Sequence, residues 1–297
     1  MPEYPHITVY LECISEKAVG EELKAVRIAS PFLLRSVDPK PIALHGQVLR
    51  GVRNVGKRVV LEFNDSLFAV FHLMIAGRFA WRKPEAKLGS KSSLASLDFE
   101  SGCLVLTEAG SLRRASLHIV QGENALAEMD SGGIDLFRAT TEEFTEVMTR
   151  TNHTLKRALT DPRILSGIGN SFSDEILHAA RLSPVQLTSN LDDDDWERLH
   201  QVCMRVLTIW TAKYRSEVVR GWPAKVSAFH PEMAAHGRYH EPCPVCQSSV
   251  QRILYASRET NYCATCQTGG RLLADRALSK LLKSDWPRTL EELEGRS

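Results

Sequence analysis

Four cysteines toward the C-terminal end, Cys243, Cys246, Cys263 and Cys266, read C-x2-C-x16-C-x2-C. Each C-x2-C pair turns two thiolates toward one point, and four thiolates at about 2.3 Å from a common centre meet the tetrahedral demand of zinc. The 16 intervening residues suit a β-hairpin: Val250, Arg252 and Leu254 alternate on one side, and 260–262 return. This spacing reads as a ribbon holding one structural Zn2+. Two unrelated thiol pairs or two disulfides form the competing reading.

The opposite end of the chain, Met1-Pro2-Glu3, offers a second kind of chemistry. Removal of the initiator methionine would leave Pro2 with a secondary amine. An α-amino group titrates near about pH 8, so a useful fraction is neutral and nucleophilic at neutral pH. Its attack on the anomeric carbon of a sugar would give an iminium directly, which is an electron sink for elimination. Glu3 could donate or accept the proton that ring opening needs. Many proteins begin Met-Pro with no chemical consequence, so these residues alone decide nothing.

The third segment is Gly167-Ile168-Gly169-Asn170-Ser171-Phe172-Ser173-Asp174-Glu175, which follows one helical pattern and opens another. Glycines there let backbone amides approach a phosphate at the positive end of the next helix, and Asn170 could donate to the same oxygen. The competing reading is an ordinary turn whose helix is capped by Ser171 or Ser173.

These groups need elements to position them. Ile7, Leu11, Ile14 and Ala18 recur at helical spacing and stop near Gly20. The pattern then turns to strands at 57–63, 67–81 (broken at Gly77), 103–106 and 115–120, with no helix between them. Strands without interleaved helices imply antiparallel pairing and a β-sandwich, to about residue 137. From Thr141 the period is helical, through Phe144, Val147 and Met148 and then Leu155, Ala158 and Leu159. Two more helices are expected over 192–218, with the acidic run 192–195 favouring a positive helix end. The ribbon and a tail follow. The expected organisation is α+β: 1–137 a β-sandwich with an N-terminal helix, 138–232 helical, 233–267 the ribbon, 268–297 an extension.

The chain has 297 residues and a net charge of only +1, so any nucleic-acid contact must concentrate its basic groups locally. Arg53/Lys57/Arg58, Arg113/Arg114, Lys156/Arg157/Arg163 and Arg252/Arg258 are such clusters. No apolar run reaches the about 18 residues needed to span a bilayer, and the first residues lack the regions of a signal peptide. Cys13, Cys103 and Cys203 lie in apolar surroundings and read as buried free thiols. A reducing cytoplasm, without secretion or membrane attachment, fits.

Taken together, Pro2-Glu3, Gly56-Lys57, Gly167-Ile168-Gly169-Asn170 through Asp174-Glu175, and the four-cysteine ribbon preceded by His236-Gly237-Arg238 resemble one family in the right order along nearly the whole chain. It is the formamidopyrimidine-DNA glycosylase / endonuclease VIII family of base-excision repair enzymes. The resemblance implies a β-sandwich with an N-terminal helix, a helix-two-turn-helix domain and a zinc ribbon, with damaged DNA held in a cleft by a monomer. It implies Pro2 as Schiff-base nucleophile, Glu3 as the assisting acid and Lys57 on a phosphate at the lesion. Asn170 and Arg258 would grip the backbone around the flipped nucleotide, and Glu175 would order the Pro2 end of the site. The implied activity is removal of oxidised or ring-opened bases followed by β/δ-elimination at the abasic site, acting near the nucleoid. A non-catalytic damage binder on the same scaffold is the alternative.

The chain also departs from the family pattern. The opening P-E-(L or G)-P-E becomes Pro2-Glu3-Tyr4-Pro5-His6, placing a histidine where a second glutamate is usual. The family's base-stack wedges, a methionine in H-L-G-M-(S/T)-G and an arginine and phenylalanine in D-P-R-R-F-G, align with Ile75, Arg113 and Ala115. Ile75 can still wedge, whereas Ala115 is too small, unless a neighbouring loop with Met74 supplies the bulk. The segment 216–231 is expected to hold the lesion-recognition loop. In the tail, Arg271, Arg276 and Lys280 could extend the DNA footprint, although Leu272, Leu281 and Trp286 favour a helix docked on the sandwich.

Overall fold

The apolar alternation of the first 121 residues resolves into helix α1 (Tyr4–Ala18) and eight strands. These are β1 (Ala25–Ile28), β2 (Leu49–Val55), β3 (Arg58–Phe63), β4 (Leu67–His72), β5 (Gly77–Arg82), β6 (Ser93–Asp98), β7 (Cys103–Glu108) and β8 (Ser116–Gln121). The computed structural model describes residues 1–89, 91–110, 112–223, 225–255, 258–274, 280 and 287–295, without the side chains of Tyr255, Arg258 and Glu294. Described residues separate into two compact units, Met1–Ser131 with Ile209–Ser227, and Gly132–Thr208 with Ala228–Ser297.

The first unit is a sandwich of two four-stranded antiparallel sheets, ordered β1-β6-β7-β5 and β2-β3-β4-β8. Alternate residues of one strand go to different places. Val59, Leu61, Phe63, Ala69 and Phe71 enter the main core with Ile7, Tyr10 and Ile14 of α1. Val60, Phe68 and Val70 face the other way, onto Leu126 of the short helix α2 (Glu123–Ala127). Both faces of β3 and β4 are therefore covered, which explains why their sequences read as continuous apolar runs rather than alternations. The expected strands and opening helix are present. Strands β1, β2 and β6 and helix α2 carry too little apolar periodicity to be seen in the sequence.

The same unit takes residues 209–227. They include the short hairpin β9 (Val218–Val219) and β10 (Trp222–Pro223), which turns through Arg220 and Gly221, both at positive φ. Trp222 packs on Tyr10 and Trp81, and its indole donates to the Phe79 carbonyl. Part of the segment expected to hold the recognition loop is thus anchored to the core. A bulky aromatic with one N–H is well served at a core edge that offers it one acceptor.

The second unit holds α3 (Thr141–Thr149), α4 (Leu155–Thr160), α5 (Asn170–Ala180) and most of α6 (Asp193–Ser216). Helix α3 opens with a reciprocal capping box between Thr140 and Glu143 and buries Phe144, Val147 and Met148 at helical spacing. The region 192–218 contains one 24-residue helix, not two, since its periodicity is never interrupted by glycine or proline. As expected, acids fill its first turn, and the Asp192 carboxylate accepts the Asp195 N–H. The serine-cap expectation for α5 is corrected. Gly169 is the N-cap, and Ser173 lies within the helix donating its hydroxyl back to the Gly169 carbonyl.

The ribbon is the antiparallel pair β11 (Val250–Tyr255) and β12 (Arg258–Cys263), followed by α7 (Ala264–Thr268). Leu272 and Leu273 of the tail pack on Tyr262 and Ala264, together with Leu290 and Leu293 of helix α8 (Leu290–Glu294). The described part of the tail therefore docks on the ribbon rather than the sandwich, because the ribbon's own apolar residues would otherwise face water. Arg276, Leu281 and Trp286 lie outside the described residues. Cys13, Cys103 and Cys203 are buried free thiols. Among the described residues no helix is long and apolar enough to cross a membrane.

Candidate active site and metal centre

Register gathers part of the candidate site at one end of the sandwich. Val55 pairs with Arg58, Arg58 with His72, and His72 with Ser116, so these four residues form one row across a sheet. The turn that joins β2 to β3 is Gly56-Lys57, with Gly56 at φ +59, a conformation that favours glycine. Lys57 consequently sits at that end of the sheet. The amino terminus reaches the same neighbourhood. Burial pulls the Met1 amine below its usual value of 8.0, opposed by the charge of Glu3 and reinforced by Arg78 and Lys57. Pro2 and Glu3 are buried beside it.

Arg78 was not singled out in the sequence, although a cation alternating with Phe79 on a mostly apolar strand was a usable signal. Its guanidinium donates to the carbonyls of Val226 (2.5 Å), Ile75 (3.1 Å) and Gly77 (2.7 Å), and burial lowers its pKa. It holds the β4–β5 turn and adds positive potential beside the amine.

His6 has a structural explanation. Glu3 is the N-cap of α1 and His6 its N3 residue, and the two form a reciprocal capping box. The Glu3 N–H donates to His6 Nδ1 at 3.2 Å, which leaves Nε2 to donate to the Ser227 carbonyl at 3.0 Å. The ring also packs on Tyr214, 4.4 Å between centroids. Burial is the main cause that lowers the His6 pKa to about 4, with the Glu3 charge and the Ser227 bond opposing. His6 is therefore neutral near pH 7, in the one tautomer that satisfies both partners. A histidine reproduces the acceptor role of the usual N3 glutamate while adding no negative charge next to the amino terminus.

In the second unit, α5 presents Asn170, Asp174 and His178 at intervals of four, on one face, with Glu175 adjoining. The Asn170 side chain donates to the Glu259 carbonyl of β12 at 2.9 Å. Asp174 takes Lys156 Nζ at 2.5 Å on one oxygen and His236 Nδ1 at 2.7 Å on the other. Glu175 accepts three backbone N–H groups, from Ala234, Ala235 and His236, at 2.8 to 2.9 Å. Burial pushes the Glu175 carboxyl up, against those three donors that favour its charged form. His178 Nε2 lies 3.2 Å from Cys243 Sγ. Nothing in the sequence marks His178, whereas Lys156, expected in a basic cluster for nucleic acid, is instead paired with Asp174, and His236 of the family motif meets the same carboxylate.

The four predicted ligand cysteines converge, with all four sulfurs within 4.8 Å of one another. Thiolates around tetrahedral zinc at about 2.3 Å would stand roughly 3.8 Å apart. The Cys243–Cys266 and Cys246–Cys263 separations of 4.0 and 3.3 Å bracket that value. These residues fit one metal ion. The sulfur of a metal-bound thiolate carries no proton, so His178 would be the donor to Cys243, a partner of the kind that orients metal ligands.

Ile75 and Arg113 are exposed on neighbouring turns, and Ala115 is buried. Arg258 begins β12 opposite Tyr255, and its side chain lies outside the described residues.

Comparison with known proteins decides the family. The formamidopyrimidine-DNA glycosylase N-terminal domain matches residues 1–113, and the H2TH domain of the same enzymes matches 136–219. A formamidopyrimidine-DNA glycosylase-like protein of Mycobacterium tuberculosis is 34% identical over 151 residues, covering 51% of this chain and 94% of that protein. The chain belongs to the formamidopyrimidine-DNA glycosylase family. The Ureaplasma parvum formamidopyrimidine-DNA glycosylase is 24% identical to this family member, covering 90% of this chain and all of that one. A solved complex of Lactococcus lactis Fpg with DNA containing an abasic site superimposes with a TM-score of 0.80 at 20% identity, over 90% of this chain and 99% of the other. At that identity the likeness shows the fold.

An exposed histidine of the unfolded chain titrates near 6.5, whereas His6 in the fold titrates near 4. Between those values the unfolded chain binds more protons, so stability is full above about pH 6.5 and falls as pH drops toward about 4. The loss is up to about 3 kcal/mol. His6→Gln should flatten that part of the profile relative to the parent, as measured by urea denaturation across this window; parallel profiles would contradict a buried neutral His6. Elemental analysis should find one metal ion per chain, and Cys263→Ser should remove it and lower the melting temperature.

Proposed function

We propose that this family member is a DNA glycosylase with abasic-site lyase activity, acting in base-excision repair on oxidised or ring-opened bases. The observation that carries this reading is the partial burial of the amino-terminal amine within reach of the charges of Glu3, Arg78 and Lys57. Desolvation and two cations lower the pKa of an amine, which raises the neutral, nucleophilic fraction at neutral pH. Loss of Met1 would transfer that setting to Pro2.

The Pro2 nitrogen bonds to C1′ of an everted nucleotide as the bond to the base breaks, and the base leaves with the bonding pair and takes up the proton that the attacking amine releases. A proton from Glu3 goes to the ring oxygen, the C1′–O bond opens, and nitrogen's electron pair completes the iminium. A C2′ proton is then acidic enough to leave, expelling the 3′ phosphate, and the 5′ phosphate follows by δ-elimination. Eversion is needed because C1′ is inaccessible inside a stacked duplex.

Lys57 would hold a phosphate at the lesion. Asn170, at the positive end of α5, and Arg258 would contact the flanking backbone, positioning without reading sequence. The metal is zinc in this reading, since four thiolates at tetrahedral spacing suit it best. It would be structural, held by Cys243, Cys246, Cys263 and Cys266, and would keep β12 rigid behind Asn170 and Arg258. The protein would act as a cytoplasmic monomer, with residues 138–232 as the helix-two-turn-helix DNA-binding domain. Glu175 would act through the backbone of 234–236 rather than by direct chemistry.

Borohydride reduction of the methionine-processed protein on an oligonucleotide with one abasic site should give a covalent adduct mapping to Pro2. Salt-sensitive binding without an adduct would instead favour a non-catalytic damage binder. Pro2→Gly retains a primary amine, so lyase turnover should fall by about tenfold or more without vanishing. Glu3→Gln should abolish base excision, measured on a lesion-bearing duplex, with DNA affinity within about threefold of the parent.

A further inference from the structure

Two turns run side by side at the Lys57 end of the sandwich. The turn 73–76 joins β4 to β5, and residues 109–115 join β7 to β8. His72 pairs with Ser116 in one sheet, and Gly77 pairs with Glu108 in the other. Each turn therefore crosses from one sheet to the other between the same two pairs of strands. Their bases are anchored. Leu73 and Ala115 point inward, at 1% and 4% exposure. The buried Glu108 carboxylate accepts the N–H groups of Arg114 and Ala115 at 3.0 to 3.1 Å, and Arg78 holds the Ile75 carbonyl.

On these anchored bases stand two large apolar side chains, Ile75 at 63% and Leu112 at 73% exposure. Exposed cations Arg113 and Arg114 adjoin Leu112, and Lys57 lies at the tip of the neighbouring hairpin. Two projecting apolar groups among cations make a poor protein-docking face, which would need a contiguous apolar patch. They match what duplex DNA accepts: phosphates take the cations, and an apolar side chain enters between bases. Ala115 cannot enter, because it is small, buried and tied down by its own N–H. Leu112 stands at the proline of the family's D-P-R-R-F-G pattern, three positions before the missing phenylalanine.

We propose that Leu112 is a second base-stack wedge beside Ile75, unstacking the base opposite the lesion and so setting opposite-base selectivity in place of the absent aromatic ring. This inference rests on the reading of the protein as one that everts nucleotides from damaged duplex DNA.

The test uses the full-length protein and a duplex carrying 2-aminopurine opposite a tetrahydrofuran abasic analogue. Wedge insertion unstacks the 2-aminopurine and raises its fluorescence. The parent protein at saturation should give that rise. Leu112→Ala should lose most of it while its affinity falls by less than about tenfold, and Leu112→Met, of similar volume, should restore it. A full rise with Leu112→Ala, a parent that saturates without any rise, or failure of Leu112→Met to restore the signal would overturn the proposal. Borohydride trapping on an abasic duplex separates the two readings. An adduct with a Leu112-independent rise would sink the wedge and spare the lyase. A Leu112-dependent rise without an adduct would sink the lyase and spare the wedge. A parent that binds no damaged duplex overturns both.

Discussion

A carboxylate removed from water must be fully paired, and α5 buries two of them in succession. Asp174 is held between Lys156 and His236, and Glu175 by three consecutive backbone N–H groups. Removing one partner of such a buried charge typically costs about 3–5 kcal/mol. The helix that carries Asn170 is thereby locked to the segment leading into the ribbon. Asn170 adds a bond to β12 and His178 a contact to Cys243, so one polar face of one helix fixes the ribbon at four levels. Burial of this kind is weak as a source of net stability. What it supplies is a set of partners that a displaced helix would lose.

The amino-terminal end obeys a related rule with a different solution. There the partly buried group is the chain's own amine, and one carboxylate and two cations act on its charge. His6 completes the cap of α1 without a second negative charge, which would have raised the amine's pKa and reduced its neutral fraction. The histidine departure is therefore compatible with, and electrostatically favourable to, amine chemistry at this terminus.

Some of this was legible in order along the chain and some was not. The C-x2-C pairs announce a metal centre because a local turn alone aims two sulfurs together. Helices α1 and α3 are readable because their buried residues recur every three or four positions. Two helices are expected over 192–218, yet no glycine or proline breaks the stretch and one helix runs over Asp193–Ser216. Ser171 and Ser173 misled because capping depends on backbone angles, and Gly169 adopts the extended ones. Arg78 and Glu108 look like ordinary surface charges in sequence, and Lys156 like one member of a basic cluster.

By itself the sequence determined the family, the main helices and strands and the four cysteines that could hold a metal ion, since these depend on residue type and on spacing within a turn or a helix. Only the tertiary structure decided which distant charges meet. The pairing of His72 with Ser116 and of Gly77 with Glu108 brings Ile75, Leu112 and Lys57 to one end of the sandwich. The packing of α5 brings Asp174 to Lys156 and His236. Strand register and helix packing are set by the burial of whole faces, a property no short stretch of residues possesses alone.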